Sequence, residues 1–178
     1  LAKPSLDTKG DDAIVSRLGV SREADFLIGP DTNVRDRFHQ VARGEDLDVL
    51  VPELPGLGPV NAFLIDEAQF LSANQVDDLM RIAVLDDIPV LAYGIRTDFQ
   101  TVEFPGSRRL LEIAHSLEEL KTICRCGHKA GFTGRLLDGD FIFDGDQVFI
   151  DGQGVTYEAL CSACYLEESK GRLASDRP

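Results

Sequence analysis

The feature that most limits what this chain can fold into is its set of four cysteines. They stand at 124, 126, 161 and 164, two close pairs separated by 34 residues, with none elsewhere. Such pairing is the pattern of a metal site rather than of scattered disulfide partners. Four thiolates suit tetrahedral Zn²⁺, and a closed set of four leaves no place for water, so the ion would be structural. Cys161 and Cys164 have standard spacing. Cys124 and Cys126 are closer than the usual two to four intervening residues, but Gly127 lets the backbone turn around a metal. Two alternatives stay open at this point: His128 as ligand in place of Cys126, or four free thiols with no metal. The stretch between the pairs is too short and turn-rich to build its own core, so a metal clamp is expected to hold its ends together.

Composition narrows the class. The 178 residues are 43% hydrophobic, enough for one core and a small appendage. The longest apolar run, residues 60–65 broken by Asn61, is too short to span a bilayer. No basic segment followed by an apolar one opens the chain, so no secretory signal and no membrane role are expected. A net charge of −13 argues against a nucleic-acid-binding face. It leaves room for a small anionic ligand held by a few local cations. A reducing cytoplasmic compartment is expected, which also weighs against disulfides. The chain opens Leu1-Ala2-Lys3-Pro4 without Met, which leads us to expect an earlier start in the native protein.

Periodicity predicts the elements. Residues 1–4 read as the end of a strand and 5–12 as a polar loop. A short apolar run at 24–28 precedes a helix over 33–43, capped by Asp31 or Thr32, with Val34, Phe38 and Val41 on one face. Residues 47–51 suggest a weak strand and 52–59, rich in Pro and Gly, a rigid connector. Residues 60–65 are apolar on both faces, as in a central parallel strand. Ser72 opens a helix through residue 85, followed by a buried strand at 90–95, a helix at 107–115 and a last strand at 117–123. This alternation indicates an α/β core with a parallel sheet. Beyond Cys124, short β-prone segments at 131–137, 141–143, 148–150 and 155–159 alternate with turns, as in a small antiparallel module. The expected domains are 1–123 and 124–178.

Chemistry concentrates where the strand at 63–65 runs into Asp66 and Glu67. In open α/β sheets, ligands sit beyond the carboxyl ends of the strands. An acid directly after a buried strand suits Mg²⁺ beside a nucleotide, and the next residue can take a proton from the other reactant. The plainer alternative is that both acids cap a following helix.

The string Asp66-Glu67-Ala68-Gln69-Phe70 resembles the signature of the cytosolic, type II thymidine kinases. Lys3-Pro4, Asp7-Thr8-Lys9, Val15-Ser16-Arg17, the run from Tyr93 to Phe99, Gly106-Ser107 and both Cys pairs agree with it in order. The resemblance implies an α/β fold of the P-loop, RecA-like kind, with helices on both faces of a parallel sheet and a zinc-ribbon lasso. It implies transfer of the ATP γ-phosphate to the 5′-hydroxyl of thymidine, giving dTMP for DNA precursor synthesis. By this resemblance Glu67 is the general base, Asp66 the Mg²⁺-associated acid and Gln69 a neighbour of ATP. Arg96 and Lys9 are candidate phosphate cations, with an Arg96–Asp98 ion pair as the alternative for Arg96. Phe70, Ile95 and Phe99 would wall the nucleoside pocket. Thr133 would face the thymine ring, and the backbone of Val148, Phe149, Ile150, Asp151 and Gly152 would read the base edge beside Tyr157. Each apolar residue, and Thr133 and Tyr157, also has a plain packing reading.

The family further implies structural Zn²⁺, Mg²⁺ with ATP, dTTP as feedback inhibitor and a homotetramer. No GxxxxGK(S/T) phosphate loop occurs. Family order places it before Lys3, so the chain as it stands is expected to be inactive. The competing functions are another P-loop ATPase or nucleotide kinase, and an inactive zinc-ribbon binding module.

Overall fold

The computed structural model describes residues 1–7, 12–15, 19–43, 60–148 and 154–176. The expected weak strand at 47–51, the connector at 52–59 and most of the polar loop after Leu6 lie outside the described residues. Two compact units are present. One takes the described residues of Leu1–Ile95 with Pro105–His115, the other those of Arg96–Phe104 with Ser116–Pro178.

The first unit contains β1 (Ala2–Pro4), an antiparallel pair β2 (Ala13–Val15) and β3 (Ser21–Glu23), and β4 (Phe26–Ile28). There follow α1 (Val34–Arg43), β5 (Phe63–Ile65), α2 (Ala73–Leu85), β6 (Val90–Ala92) and α3 (Pro105–Ile113). A parallel sheet runs in the order β4-β1-β5-β6, with Ala2 opposite Ile65 and Ile65 opposite Ala92. The carboxyl ends of β5 and β6 therefore lie side by side, while β1 begins opposite the end of β5 and runs on past it. Phe26, Phe63 and Ile65 of the sheet pack in one core with Val34, Phe38 and Val41 of α1 and Val76, Leu79 and Ile82 of α2. Phe63 meets Phe26 at 5.6 Å and Phe38 at 5.0 Å between ring centroids.

Helix starts are set by side-chain caps. Ser72 opens α2 in a reciprocal capping box with Gln75, whose amide also donates to Gly29 O at 2.7 Å. The cap of α1 is Asn33, not Asp31 or Thr32: Asn33 Oδ1 accepts from Asp36 N at 2.9 Å. The Thr32 hydroxyl is occupied by Gly29 N, also at 2.9 Å, which leaves the cap to the next residue. α3 starts earlier than periodicity suggests, because Pro105 is suited to a first helical turn.

The 90–95 segment differs from the expected buried strand. β6 stops at Ala92 and is the sheet's edge among the described residues, and Leu91 and Ile95 are 41% and 42% exposed. The expected strand at 117–123 does not join this sheet either. Only β7 (Thr122–Ile123) forms there, and it pairs antiparallel with β8 (Lys129–Ala130) in the second unit. An apolar run specifies a strand only where a neighbour pairs with it, and residues 117–121 have no strand partner among the described residues.

Arg35 donates a fork to Asp86 at 2.9 and 2.8 Å, and His39 Nε2 lies 3.0 Å from the same carboxylate. This ties α1 to the C-terminal end of α2. Arg35 first, then His39, holds the Asp86 carboxyl down to about 2 from 3.8. A carboxyl depressed by folding stabilises the fold above its unfolded pKa, and the contribution fades as pH falls from about 4 toward 2. Comparing melting temperatures of the wild type and Asp86→Asn across pH 6 to 2.5 tests this. The gap should be widest at pH 6 and close with acid; a gap constant across the range would remove the assigned role.

The second unit holds β9 (Phe132–Leu137), β10 (Asp140–Ile142), β11 (Val155–Leu160) and α4 (Ser162–Glu168). The strands form an antiparallel sheet in the order β10-β9-β11. Three of the four expected β segments appear; of the fourth, only Val148 is described, and it lies outside any strand. Cys124, Ala130, Phe143, Leu160, Cys161 and Tyr165 form the core. Arg96–Phe104 belongs here through specific bonds. Tyr165 Oη donates to Phe99 O at 2.8 Å, Gln100 Nε2 to Gly145 O at 2.8 Å, and Ala174 N to Thr101 Oγ1 at 2.9 Å.

Candidate active site and metal centre

In the first unit, Asp66 and Glu67 leave the carboxyl end of β5 as expected. Glu67 has φ 50° and ψ 37°, a left-handed backbone that is uncommon for a residue with a side chain. Such a conformation persists only where surrounding contacts enforce it. Here the Glu67 N–H donates to Asp66 Oδ1 at 3.0 Å, and the next amide, Ala68 N, donates to Tyr93 O at 2.8 Å. The capping alternative fails for Glu67. Its side chain makes no cap bond to the short 3-10 turn at Ala68–Phe70, and α2 has Ser72 as its own cap.

Gln69 is the centre of this arrangement. It is 1% exposed, its Nε2 donates to Glu67 Oε2, and its Oε1 accepts from Ile95 N at 3.3 Å. Phe70 N donates to Glu67 O at 3.1 Å. Asp66, Glu67, Gln69, Phe70 and Ile95 are thus brought together within one unit.

Two glycines make room for the turn. A Cβ on Gly94 would stand 2.6 Å from Gln69 Oε1 and 3.1 Å from Gln69 N. A Cβ on Gly106 would meet the carbonyl oxygens of Ala68, Gln69 and Leu71 at 2.6 to 2.8 Å. Behind Gly106, Ser107 Oγ donates to Ile95 O at 2.6 Å and fixes the end of the 93–95 segment. At β1, Lys3 is fully buried, pairs with Asp7 at 2.9 Å and donates to Ala13 O at 3.3 Å.

The other expected residues lie in the second unit. Phe99 is 1% exposed and Tyr157 is 52% exposed, and Arg135 contacts both rings. Thr133 pairs with Ala159 across β9 and β11, on the same face of β9 as Arg135. Arg96 is exposed and near Gly131, whose added Cβ would lie 3.6 Å from Arg96 Nη2. The Asp98 carboxylate serves another purpose than pairing with Arg96. Its Oδ1 accepts from Gln100 N at 2.8 Å and Val102 N at 2.9 Å, and its buried Oδ2 has no hydrogen-bond partner among the described residues. Val148 is half-buried; Lys9, Phe149, Ile150, Asp151 and Gly152 lie outside the described residues. Sequence reasoning passed over Arg135, an arginine in a β-prone run with no acid at pattern spacing to flag it.

The four cysteines do converge. Their sulfurs all lie within 4.8 Å of one another, and Cys126 Sγ is 3.5 Å from Cys161 Sγ. None is in a disulfide. His128 sits beside this cluster, with Nδ1 3.3 Å from Cys126 Sγ. Backbone N–H groups of Cys126 and Cys161 pull the Cys124 thiol down to about 6. The Cys164 N–H also lowers Cys161. The surrounding sulfurs push Cys164 up to about 12. Backbone donors thus favour the thiolate at Cys124 and Cys161 while the crowding of sulfurs opposes it at Cys164. A soft divalent cation removes that opposition, so the donor set fits a metal such as zinc.

The thymidine kinase family model matches residues 8–165. The chain belongs to the thymidine kinase family. It is 42% identical over 163 residues to a thymidine kinase of Haemophilus influenzae, covering 91% of this chain and 77% of that one. Against a thymidine kinase of Mesorhizobium japonicum it is 44% identical over 170 residues, covering 94% and 75%. The thymidine kinase of Enterobacteria phage T4 is 36% identical over 170 residues, covering 94% and 80%. Membership disfavours both competing readings, the unrelated ATPase and the inactive zinc-ribbon module. No helix among the described residues is long and apolar enough to cross a membrane.

Proposed function

We propose that this chain forms the nucleoside-phosphorylating part of an ATP-dependent thymidine kinase, with Glu67 as the base that takes the 5′-hydroxyl proton. The observation that carries the reading is the strained Glu67 at the carboxyl end of β5, next to Asp66 and held by buried Gln69. A carboxylate gripped by an amide donor is held in one orientation, and a proton acceptor must meet its hydroxyl within hydrogen-bond reach. Mg²⁺ bound with ATP offsets phosphate charge, and Asp66 would hold it; Gln69 and Arg96 lie on the ATP side of this reading. The family resemblance assigns Phe70 and Ile95 of the first unit, and Phe99, Thr133, Val148 and Tyr157 of the second, to the nucleoside. The Cys cluster takes Zn²⁺ as a structural ion. Feedback inhibition by dTTP, a homotetramer and a cytoplasmic location follow from the family resemblance.

The direct test is phosphorylation of thymidine by the full-length enzyme with Mg-ATP, compared with deoxycytidine and deoxyguanosine. Turnover confined to thymidine is expected; thymidine-independent ATP hydrolysis would overturn the proposal. A second test concerns Gly94. In Gly94→Ala the new methyl displaces the Gln69 amide and removes its hydrogen bond to Glu67 Oε2. Losing one hydrogen bond to a charged group costs about 1.5 kcal/mol, so kcat should fall roughly tenfold with little change in the KM for ATP. Unchanged kcat would remove Gln69 from the mechanism.

A further inference from the structure

We propose that Arg135 is a positioning residue that sets the base selectivity of this enzyme, by holding the nucleoside-facing parts of the second unit on one guanidinium. The inference rests on the thymidine kinase reading above and extends it to a residue outside the expected site.

Arg135 is 1% exposed, the largest of the fully buried side chains among the described residues. Burying a guanidinium is costly unless its N–H groups are satisfied. Here Nη1 donates to Asp146 O at 2.8 Å, Nη2 to Gln147 O at 2.9 Å, and Nε to Tyr157 Oη at 3.1 Å. The guanidinium carbon lies 3.7 Å from the centroid of the Phe99 ring and 5.5 Å from that of Tyr157. Phe99, Tyr157 and the backbone entering Val148 are three separate pieces of the proposed nucleoside side. One planar side chain bonds or stacks with all of them.

Peptide geometry gives this grip a consequence for recognition. In a trans planar peptide the N–H points opposite to the C=O. With the carbonyls of Asp146 and Gln147 turned onto Arg135, the N–H groups of Gln147 and Val148 face away from it. The direction of the backbone through Gln147 into Val148 is therefore set by the guanidinium. Tyr157 is held in a similar way: its hydroxyl is tied to Nε while half of the residue remains exposed. Two further bonds brace the same segment, Gln100 Nε2 to Gly145 O at 2.8 Å and Gln147 Nε2 to Glu103 O at 3.0 Å. A lysine could not replace this arginine. An ammonium is a compact donor without a planar fork, and it cannot span two successive carbonyls while lying flat on Phe99.

Fixed backbone donors and acceptors discriminate because a wrong base leaves them unpaired. Loosening them should weaken thymidine binding and blur the distinction from deoxycytidine, without touching the proton transfer. The experiment compares the wild type, Arg135→Lys and Tyr157→Phe as full-length enzymes, by steady-state kinetics on both nucleosides, with zinc content measured in each. Arg135→Lys should raise the KM for thymidine about tenfold and lower the thymidine-to-deoxycytidine preference by a similar factor. Its kcat, KM for ATP and zinc content should stay within about threefold of the wild type. Tyr157→Phe removes one anchor and keeps the ring, so a smaller shift in the same direction is expected. If Arg135→Lys keeps the wild-type KM and selectivity, or loses kcat alone, the assignment to Arg135 is overturned. If Arg135→Lys loses its zinc, a Tyr157→Phe enzyme with wild-type selectivity also overturns it. A wild type inactive on thymidine counts instead against the underlying reading of the site.

Discussion

Glu67→Gln in the full-length enzyme should lower kcat for thymidine by about 10² to 10⁴ while the KM for thymidine changes little. The substitution keeps the size and the backbone demands of the site. Gln69 Nε2 still finds an acceptor oxygen on the new amide, and the Glu67–Asp66 backbone contact does not involve the altered group. Only the ability to accept a proton is lost. Binding and zinc content should therefore be preserved, which separates this variant from one that simply unfolds. Turnover at the wild-type level would show that another group takes the proton. Asp66 would then be the first candidate, since its carboxylate is the nearest alternative on the same strand end.

Removing the metal should have an effect of comparable size on a different part of the molecule. The core of the second unit comprises Cys124, Ala130, Phe143, Leu160, Cys161 and Tyr165, so two of its members are themselves metal-ligand candidates. Structural zinc contributes an apparent 10–16 kcal/mol or so to folding in small domains, as much as the whole net stability of an ordinary domain, about 5–15 kcal/mol. Chelation, or Cys161→Ser, is expected to abolish amide-exchange protection across β9, β11 and α4. Protection at β1, β5 and α2 should persist, because their core is built from Phe26, Phe63, Val76 and Leu79 without a sulfur ligand. Full protection of β9 in metal-free protein would show that the cysteines are ordinary packing. Since Arg135 lies on β9, loss of the metal should also erase base selectivity before it affects proton transfer.

Much of this was legible in the chain itself, for a common physical reason. Helical spacing placed Val34, Phe38 and Val41 on a buried face, and Ser72 with Gln75 marked the start of α2 by a reciprocal bond within one turn. The Cys pairs marked a cluster of four converging thiols that could hold a metal, and the end of the apolar strand at β5 placed Asp66 and Glu67 where spacing put them. Each of these signals is local, fixed by spacing or by the chemistry of a few neighbouring residues. The runs at 90–95 and 117–123 show where local signals stop. Apolar content alone suggested buried strands, but whether a strand forms and is covered depends on partners distant in the chain.

The sequence by itself thus determined the α/β class, the module carrying the four cysteines and the position of the two acids. The tertiary structure alone decided that Gln69 grips Glu67, that Gly106 must be bare, that residues 96–104 pack with the second unit, and that Arg135 is buried within that unit. In each case the deciding contact joins elements from separate parts of the chain or depends on how closely two backbones approach. Arg135 meets Phe99 and Tyr157 only after β9 has found β11 and the 96–104 segment has been tied to Tyr165 and Gly145. A buried cation is tolerable only when its partners are all assembled, and no residue near it in sequence announces them.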